Sequence, residues 1–301
     1  MNMSSCIQAR LGHGFTIAAL ACAITATSAQ ADTTAFKFNG VVTALSNGDI
    51  FGGVSMGDAI TGTLAYNAST PPTRDLGFWA ATYDLTAPDT LLSLQLPSGQ
   101  QHALSSFTAR VMNGPVYPHF ERDEFSVGSS YLNAMQFVST GQRLSIGLTM
   151  RDETGVGALS SNQLPTEIDL TKMRYSGGTL NVITGQLPAG DEFYIMDRSS
   201  LAYNTGLWGS VPSPTSYVLR FNKQTPSYNP YYIPLEPYPG QAEYVNQDAV
   251  KYREWLAAGN TPLYLDTLSF HMTSISAVPE PESLALALAG VAGLMVARRR
   301  R

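Results

Sequence analysis

The sequence predicts an all-β fold, an antiparallel β-sandwich of the jelly-roll type with one short helix, a Pro/Tyr-rich loop region and a C-terminal hydrophobic helix. Charged residues make up only 14% of the 301 residues, whereas long surface helices need many charges on their solvent-facing sides. Short runs of alternating apolar and polar residues recur along the chain, which is the pattern of half-buried strands. Turn-forming Gly, Pro and Asn separate these runs, as they do between the strands of antiparallel sheets.

The first part of the body is predicted to be the sandwich, over residues 32–184. Its strands are predicted at residues 35–45, 59–67, 91–96, 103–112, 135–140, 144–150 and 173–184. Turns are predicted at residues 46–49, 70–73 and 113–115, where Gly supplies positive φ and Pro fixes φ. Gly177-Gly178 is expected to break the last strand, because glycine weakens a strand interior.

The second part, residues 185–277, is predicted to be a β-rich elaboration packed on the same sandwich, with a separate small domain as the alternative. Residues 210–240 are rich in Pro and Tyr, and so many prolines argue against regular central strands. A helix is predicted near residues 242–258, and strand character returns over residues 261–275. The apolar stripe of this helix consists of Val245, Ala249, Tyr252 and Leu256.

The first 31 residues have the layout of a secretory signal peptide. A basic, acid-free start precedes an apolar stretch at residues 15–24, and Ala29 and Ala31 place small residues where a signal peptidase reads the chain. Cleavage is therefore predicted before Asp32. The alternative, a short membrane anchor, lacks the roughly 20 apolar residues that a spanning helix needs.

The cysteines and the charge of the exported part exclude several functions. Cys6 and Cys22 are the two cysteines of the chain, and both lie in the predicted signal peptide. The mature protein is therefore expected to lack disulfides, thiol catalysis and Cys-ligated zinc. Residues 32–278 carry 13 basic and 21 acidic side chains, a net charge of −8, so nucleic acid is not an expected partner.

One short motif resembles a serine-hydrolase nucleophile elbow. Gly53-Val54-Ser55-Met56-Gly57 matches G-x-S-x-G. That elbow works on a sharp turn from a strand into a helix, whereas residues 58–67 alternate as a strand. The motif is therefore interpreted as a turn between strands, and no catalytic residue is predicted.

Acidic and histidine residues give no recognisable metal or catalytic pattern. The acids considered are Glu121, Asp123-Glu124, Asp152-Glu153 and Asp191-Glu192. Neighbouring acids on a strand point to opposite faces, so these pairs are interpreted as solvated loop acids. Calcium is an alternative that no calcium-loop spacing supports. His102, His119 and His271 have no zinc-site spacing, so no metal and no other cofactor is predicted.

Aromatic residues of the Pro/Tyr-rich region offer a second class of site. Trp208, Tyr228, Tyr231 and Tyr232 are candidates for a sugar-stacking surface, because amphipathic rings often lie at binding faces. Packing of the loop against the body is the favoured interpretation of the same residues.

The chain ends with VPEPESLALALAGVAGLMVARRRR, which is residues 278–301. Pro279-Glu280-Pro281 is stiff, and residues 284–297 form an uncharged apolar segment. As a helix this segment is on the order of 21 Å long, short of a bilayer core of roughly 30 Å. Arg298, Arg299, Arg300 and Arg301 then place the end of the chain on the cytoplasmic side. The tail is thus predicted to be a transient stop-transfer helix with a processing site before it, and a buried core helix is the disfavoured alternative.

This tail resembles the PEP-CTERM sorting signal of proteins exported by Gram-negative, exopolysaccharide-producing bacteria. The motif residues are Val278, Pro279, Glu280 and Pro281, followed by an apolar helix with Gly290 and Gly293 and by the terminal arginines. The resemblance implies recognition by an exosortase, a membrane-embedded relative of cysteine proteases, with a cut at or near Pro-Glu-Pro. Residues 57–67 and 175–180 are similar, more weakly, to strand and turn motifs of β-rich bodies that carry this signal.

Together these patterns predict an exported, exosortase-processed and non-enzymatic protein of the cell surface or the extracellular matrix. Its expected partners are the signal peptidase, the exosortase, the inner membrane during transient anchoring, and exopolysaccharide. The alternatives are a carbohydrate-binding module that contacts exopolysaccharide and a secreted hydrolase.

Overall fold

The described part of the chain is built mainly of antiparallel strands and contains one short α-helix, as the sequence predicts. The computed structural model describes residues 33–117, 120–121, 123–129, 143–152, 157–198, 217–223, 231–234 and 246–278. The elements are β1 (Thr33–Leu45), β2 (Ala59–Asn67), β3 (Arg74–Asp75), β4 (Ala80–Thr86), β5 (Leu91–Gln95), β6 (Gln101–Leu104), β7 (Ser106–Met112), β8 (Pro115–Tyr117), β9 (Phe120–Glu121), β10 (Asp123–Gly128), β11 (Leu144–Asp152), β12 (Tyr175–Thr184), β13 (Glu192–Asp197), β14 (Tyr217–Asn222), β15 (Tyr231–Pro234), α1 (Gln247–Ala257) and β16 (Leu263–Ala277).

The strands form one long sheet that curls over on itself. Its order is β3-β4-β7-β10-β11-β12-β16-β1-β2-β5-β6, and β13, β14 and β15 branch from β16. The curl brings β5 and β6 close to β11. The two layers that the sequence predicts for a sandwich are therefore the two halves of a single curled sheet, and β8 and β9 form a separate ribbon.

The main hydrophobic core fills the inside of this curl. Successive side chains of a strand point to opposite faces, so alternate residues enter this core. In β1, Phe36 and Phe38 are each 1% exposed, whereas Lys37 between them is exposed. The largest side chains of this core include Phe36, Phe38, Phe51, Leu64, Tyr66, Leu92, Leu94, Phe125, Ile146, Met150 and Leu180. Because both halves of the sheet bury their apolar faces in this one core, each half depends on the other for its stability.

The prediction that Gly177-Gly178 breaks its strand is wrong. Both glycines belong to the ladder of β12, with Gly177 opposite His271 and Gly178 opposite Phe270. A Cβ at Gly178 would lie 2.5 Å from the Phe270 ring and 2.5 Å from the Gly147 carbonyl oxygen. Glycine here makes room for an aromatic ring from the neighbouring strand instead of ending the strand.

A smaller layer lies beside the start of β16. There β13 runs parallel to β16, with Ile195 opposite Leu263, while β14 and β15 continue the layer antiparallel. One face of the layer packs a cluster of Ile183, Phe193, Ile195, Leu219 and Leu263. The other face packs α1 through Tyr194, Val218, Ile233, Ala249 and Tyr252. The β13–β15/α1 unit is defined as these three strands and this helix.

The helix is shorter than predicted, covering Gln247–Ala257 instead of residues 242–258. Asn246 caps it by accepting a hydrogen bond from the backbone N–H of Asp248 at 3.0 Å. Ala249 and Tyr252 are buried as the apolar stripe predicts, but Leu256 is 36% exposed. The last turn of α1 packs on the layer through Trp255 instead of Leu256.

Two strand predictions need correction, and two predicted segments are not described. Residues 103–112 form two strands, β6 and β7, because the chain passes at Ser105 from one half of the sheet to the other. The Pro/Tyr-rich region contains β14, which pairs on both sides, because residues 217–222 are free of proline. The predicted strand at 135–140 and the C-terminal helix at 284–297 lie outside the described residues.

Candidate functional site

The end of β16 fixes the position of the chain directly before the Pro-Glu-Pro segment. β16 lies between β1 and β12, and its last residues pair with the first half of β1, with Ala277 opposite Phe36. The ladder continues one residue further, because the backbone N–H of Val278 donates to the carbonyl oxygen of Ala35 at 2.7 Å. The sheet therefore holds the chain up to the residue directly before Pro279.

Side-chain contacts near the end of β16 help to hold this strand on the sheet as far as Val278. Ser274, Ser276 and Ala277 are exposed, while Ile275 is partly buried against the main core. Asn39 adds a side-chain hydrogen bond to the hydroxyl of Ser274 at 2.8 Å. The Pro-Glu-Pro segment that follows Val278 lies outside the described residues.

The first described residues of the chain lie at the same end of the sheet. β1 begins at Thr33, and Thr33 pairs with Asn67 of β2. Asp32, where the mature chain is predicted to begin, is three residues from Ala35, the hydrogen-bond partner of Val278. We call this edge, defined by Thr33, Ala35, Ala277 and Val278, the processing rim.

Most of the other predicted sorting and binding residues lie outside the described part of the chain. They are Ala29, Ala31, Trp208, Tyr228, Pro279, Glu280, Pro281, Arg298, Arg299, Arg300 and Arg301. The backbones of Tyr231 and Tyr232 belong to β15, opposite Arg220 and Leu219. The sugar-stacking hypothesis for this group stays a prediction.

Ser55 lies on an exposed turn that leads into a strand. Its backbone N–H donates to a carboxylate oxygen of Asp58 at 2.9 Å, and the backbone N–H of Asp58 donates to the carbonyl of Ser55 at 3.2 Å. β2 begins at the next residue, Ala59, so the predicted strand after the motif is confirmed. A nucleophile elbow needs a helix at this point, and the local geometry is instead that of a connection between two strands.

The interpretation as solvated loop acids is wrong for three of the acidic residues. Asp123 and Glu124 lie in β10 and Asp152 in β11, and all three are buried. The carboxylate of Asp123 accepts backbone N–H bonds from Gly114 at 3.1 Å and Leu159 at 3.0 Å. It thus ties two connecting segments to the sheet, which is a structural role that sequence spacing did not reveal.

The histidines and acids do not assemble into a metal site in the described ranges. His271 is exposed on β16, whereas His102 has a buried Nε2 atom without a hydrogen-bond partner there. Burial lowers the pKa of His102, because the charged form is poorly solvated. His119 lies outside the described residues.

A buried carboxylate on β16 is the clearest polar feature that the sequence did not indicate. The side chain of Asp266 is fully buried; one oxygen accepts from the Ser46 hydroxyl at 3.2 Å and lies 3.6 Å from Arg198 Nη1. Its Oδ2 has no hydrogen-bond partner within the described structure. Burial raises the pKa of Asp266, although Arg198 and Ser46 oppose the shift.

A second polar cluster holds α1 on its layer. Arg220 Nε donates to Glu192 Oε1 at 2.5 Å, and Nη1 lies 3.4 Å from the carboxylate of Asp248 at the start of α1. The Tyr194 hydroxyl donates to the same Glu192 oxygen at 2.7 Å. Burial favours the neutral form of Glu192, but the bonds from Arg220 and Tyr194 outweigh it and lower the pKa of the carboxyl.

The fold and the rim define the chain as a β-sheet body that continues without a linker into a C-terminal sorting segment. The family model described as the PEP-CTERM protein-sorting motif matches residues 277–301. The chain thus carries a PEP-CTERM signal, which implies exosortase-dependent sorting to export, and the match begins at the last residue of β16. Comparisons with curated proteins and with solved structures gave no significant match.

Within the described ranges, no helix combines the length and the apolar character that a membrane crossing requires. The apolar segment at residues 284–297 lies outside those ranges.

Proposed function

We propose that this chain is an exported, exosortase-processed and non-enzymatic protein of the cell surface or the extracellular matrix. The signal peptidase and the exosortase are its processing enzymes, and the C-terminal segment anchors it transiently in the inner membrane. Its β-sheet body is the cargo that the sorting signal delivers.

The observation that carries this proposal is the junction between β16 and the matched motif. β16 is an internal strand of the sheet, and the motif match starts at Ala277, one residue before Val278, which is still hydrogen-bonded to β1. A cut at or after Pro279 would leave β16 whole, whereas a cut inside β16 would remove ladder bonds and core contacts such as that of Ile275. The junction therefore suits removal of the signal without damage to the body.

Two local arrangements support a non-enzymatic body. Ser55 lies on a turn before a strand, and the carboxylate of Asp123 is occupied by two backbone donors. Neither group is arranged as a nucleophile or a general acid with a free partner.

Replacement of Pro279, Glu280 and Pro281 by Ala in an epitope-tagged chain tests the sorting proposal. In a host with the exosortase, we expect the wild-type protein to lose mass and leave the inner membrane, and the triple variant to stay there uncut. The same triple replacement in a host without the exosortase is the control and should change nothing. Identical processing of wild type and variant would contradict the proposal.

Glycan binding separates the proposed matrix protein from the carbohydrate-binding alternative. Tyr231 and Tyr232 in β15, with Trp208 and Tyr228, are the residues of that alternative. A glycan array with the exported body would show saccharide-specific binding if the alternative is correct. Turnover of a bound polysaccharide would instead support the hydrolase.

A further inference from the structure

The two ends of β16 lie in different parts of the body. Val278 is at the processing rim, and Leu263 at the other end of the strand pairs with Ile195 of β13. A strand rises about 3.3 Å per residue, so the fifteen residues of β16 span roughly 45 Å even with some twist. The body therefore extends at least this far from the rim along β16.

The β13–β15/α1 unit lies at the far end of this strand. β13 is parallel to β16 and its first residue, Glu192, precedes the pair Ile195–Leu263, so the unit extends further from the rim. Tyr194 packs against α1: its ring centroid lies 5.1 Å from that of Tyr252 and 5.0 Å from that of Trp255. Arg220 links Glu192 to Asp248 and fixes the start of the helix at the same end.

The segment between the rim and the apolar tail is short compared with the body. Residues 279–283 join Val278 to the predicted helix at 284–297, and five residues reach at most about 18 Å. Two of the five are proline, which favours an extended and stiff segment. This reach is less than half of the length of β16.

From these lengths we infer that the anchored chain stands on its processing rim and displays the β13–β15/α1 unit as its membrane-distal end. This inference rests on the proposed membrane stage of sorting. The unit would then be the first part of the body to meet extracellular polymer, while the rim stays within reach of the membrane-embedded exosortase. The fold acts as a spacer that separates the site of processing from the site of outward contact.

Single-cysteine labels can measure this orientation, because the chain after Ala31 contains no cysteine. Lys37→Cys reports on the rim, since Lys37 is exposed and lies opposite Ser276. Glu254→Cys is the matched distal label, since Glu254 is exposed on α1. Neither substitution touches the motif or the core, and each variant is required to keep the unfolding midpoint of the unlabelled chain.

The labelled chain, residues 32–301, is reconstituted in vesicles whose lipids carry an energy-transfer acceptor on the headgroup. We expect severalfold stronger transfer from position 37 than from position 254. Equal transfer from both positions, as in a body lying flat on the membrane, or stronger transfer from position 254 would overturn the inference. Failure of the chain to float with the vesicles would instead contradict the membrane stage of the proposed function.

Discussion

Two glycines of the main sheet make room for a pair of aromatic rings. Phe38 and Phe270 stack with ring centroids 6.1 Å apart, and Gly62 and Gly178 lie beneath them, where added Cβ atoms would meet these rings. Gly62 contacts the Phe38 ring, and Gly178 contacts that of Phe270. This packing joins β2, β1, β16 and β12 across the sheet.

Gly178→Ala is therefore expected to lower the free energy of unfolding by about 1–3 kcal/mol, because the new methyl group meets a backbone carbonyl and a ring. Gly147→Ala is the control, since its Cβ would lie 3.6 Å from the nearest atom, Thr179 Oγ1. Urea unfolding of residues 32–278 measures both. Equal stability of the two variants would contradict the packing role of Gly178.

The buried Asp266 is expected to make the stability of the body depend on pH. Its pKa is raised in the folded chain, so between the ordinary value of about 4 and the raised value the folded state binds more protons than the unfolded state. Its contribution to stability is thus largest below pH of about 4 and is lost as pH rises through the raised pKa.

We expect the stability of Asp266→Asn relative to wild type to be greater at pH 7 than at pH 4, because the buried carboxyl of the wild type loses its proton increasingly as pH rises. Urea unfolding of both proteins at the two pH values gives the difference. A wild type that gains stability relative to Asp266→Asn as pH rises would show that the pKa is lowered instead.

At the scale of elements, two tyrosine hydroxyls in the contact between α1 and β13 have opposite surroundings. The hydroxyl of Tyr194 donates to Glu192, whereas the buried hydroxyl of Tyr252 has no hydrogen-bond partner within the described structure. A buried polar group without a partner destabilises the folded state, and a satisfied one stabilises it modestly.

Tyr194→Phe should therefore lower the free energy of unfolding by about 1 kcal/mol. Tyr252→Phe removes an unsatisfied group and should leave stability unchanged or raise it by up to about 1 kcal/mol. Thermal or urea unfolding of the two variants side by side checks this. The reverse ranking would mean that the hydroxyl of Tyr252 is the one that holds the helix.

The sequence predicted individual strands well where one face is buried and alternation is regular, as in β1, β2 and β11. It missed β14 because the prolines on either side dominated the composition of that region, although the six residues of the strand contain none. It joined β6 and β7 because Ser105 is not a strong turn former. It misread Gly177-Gly178 because the Phe270 ring that needs the space comes from a distant part of the chain.

At the scale of the whole molecule, the sorting signal was readable from the sequence but its attachment was not. Local chemistry identifies the Pro-Glu-Pro segment, the apolar run and the arginines. The pairing of β16 with β1 joins residues more than 200 positions apart, and no local pattern specifies such a partner. For the same reason, neither the curl of the single sheet nor the buried position of Asp266 was predictable.

The central position of β16 makes the sheet depend on the segment next to the signal. Without residues 263–277, β1 and β12 would lose their shared partner and the main core would open. Completion of the sheet therefore requires β16, while the sorting signal begins where this strand ends.

The mass of the intact exported protein shows whether the sorting signal is removed after β16. We expect a chain that begins at Asp32 and ends after Val278, without the apolar segment and its arginines, so that every ladder bond of β16 is retained. A cell-surface or extracellular protein that still carries residues 284–301, or one whose C-terminus lies inside β16, would contradict it.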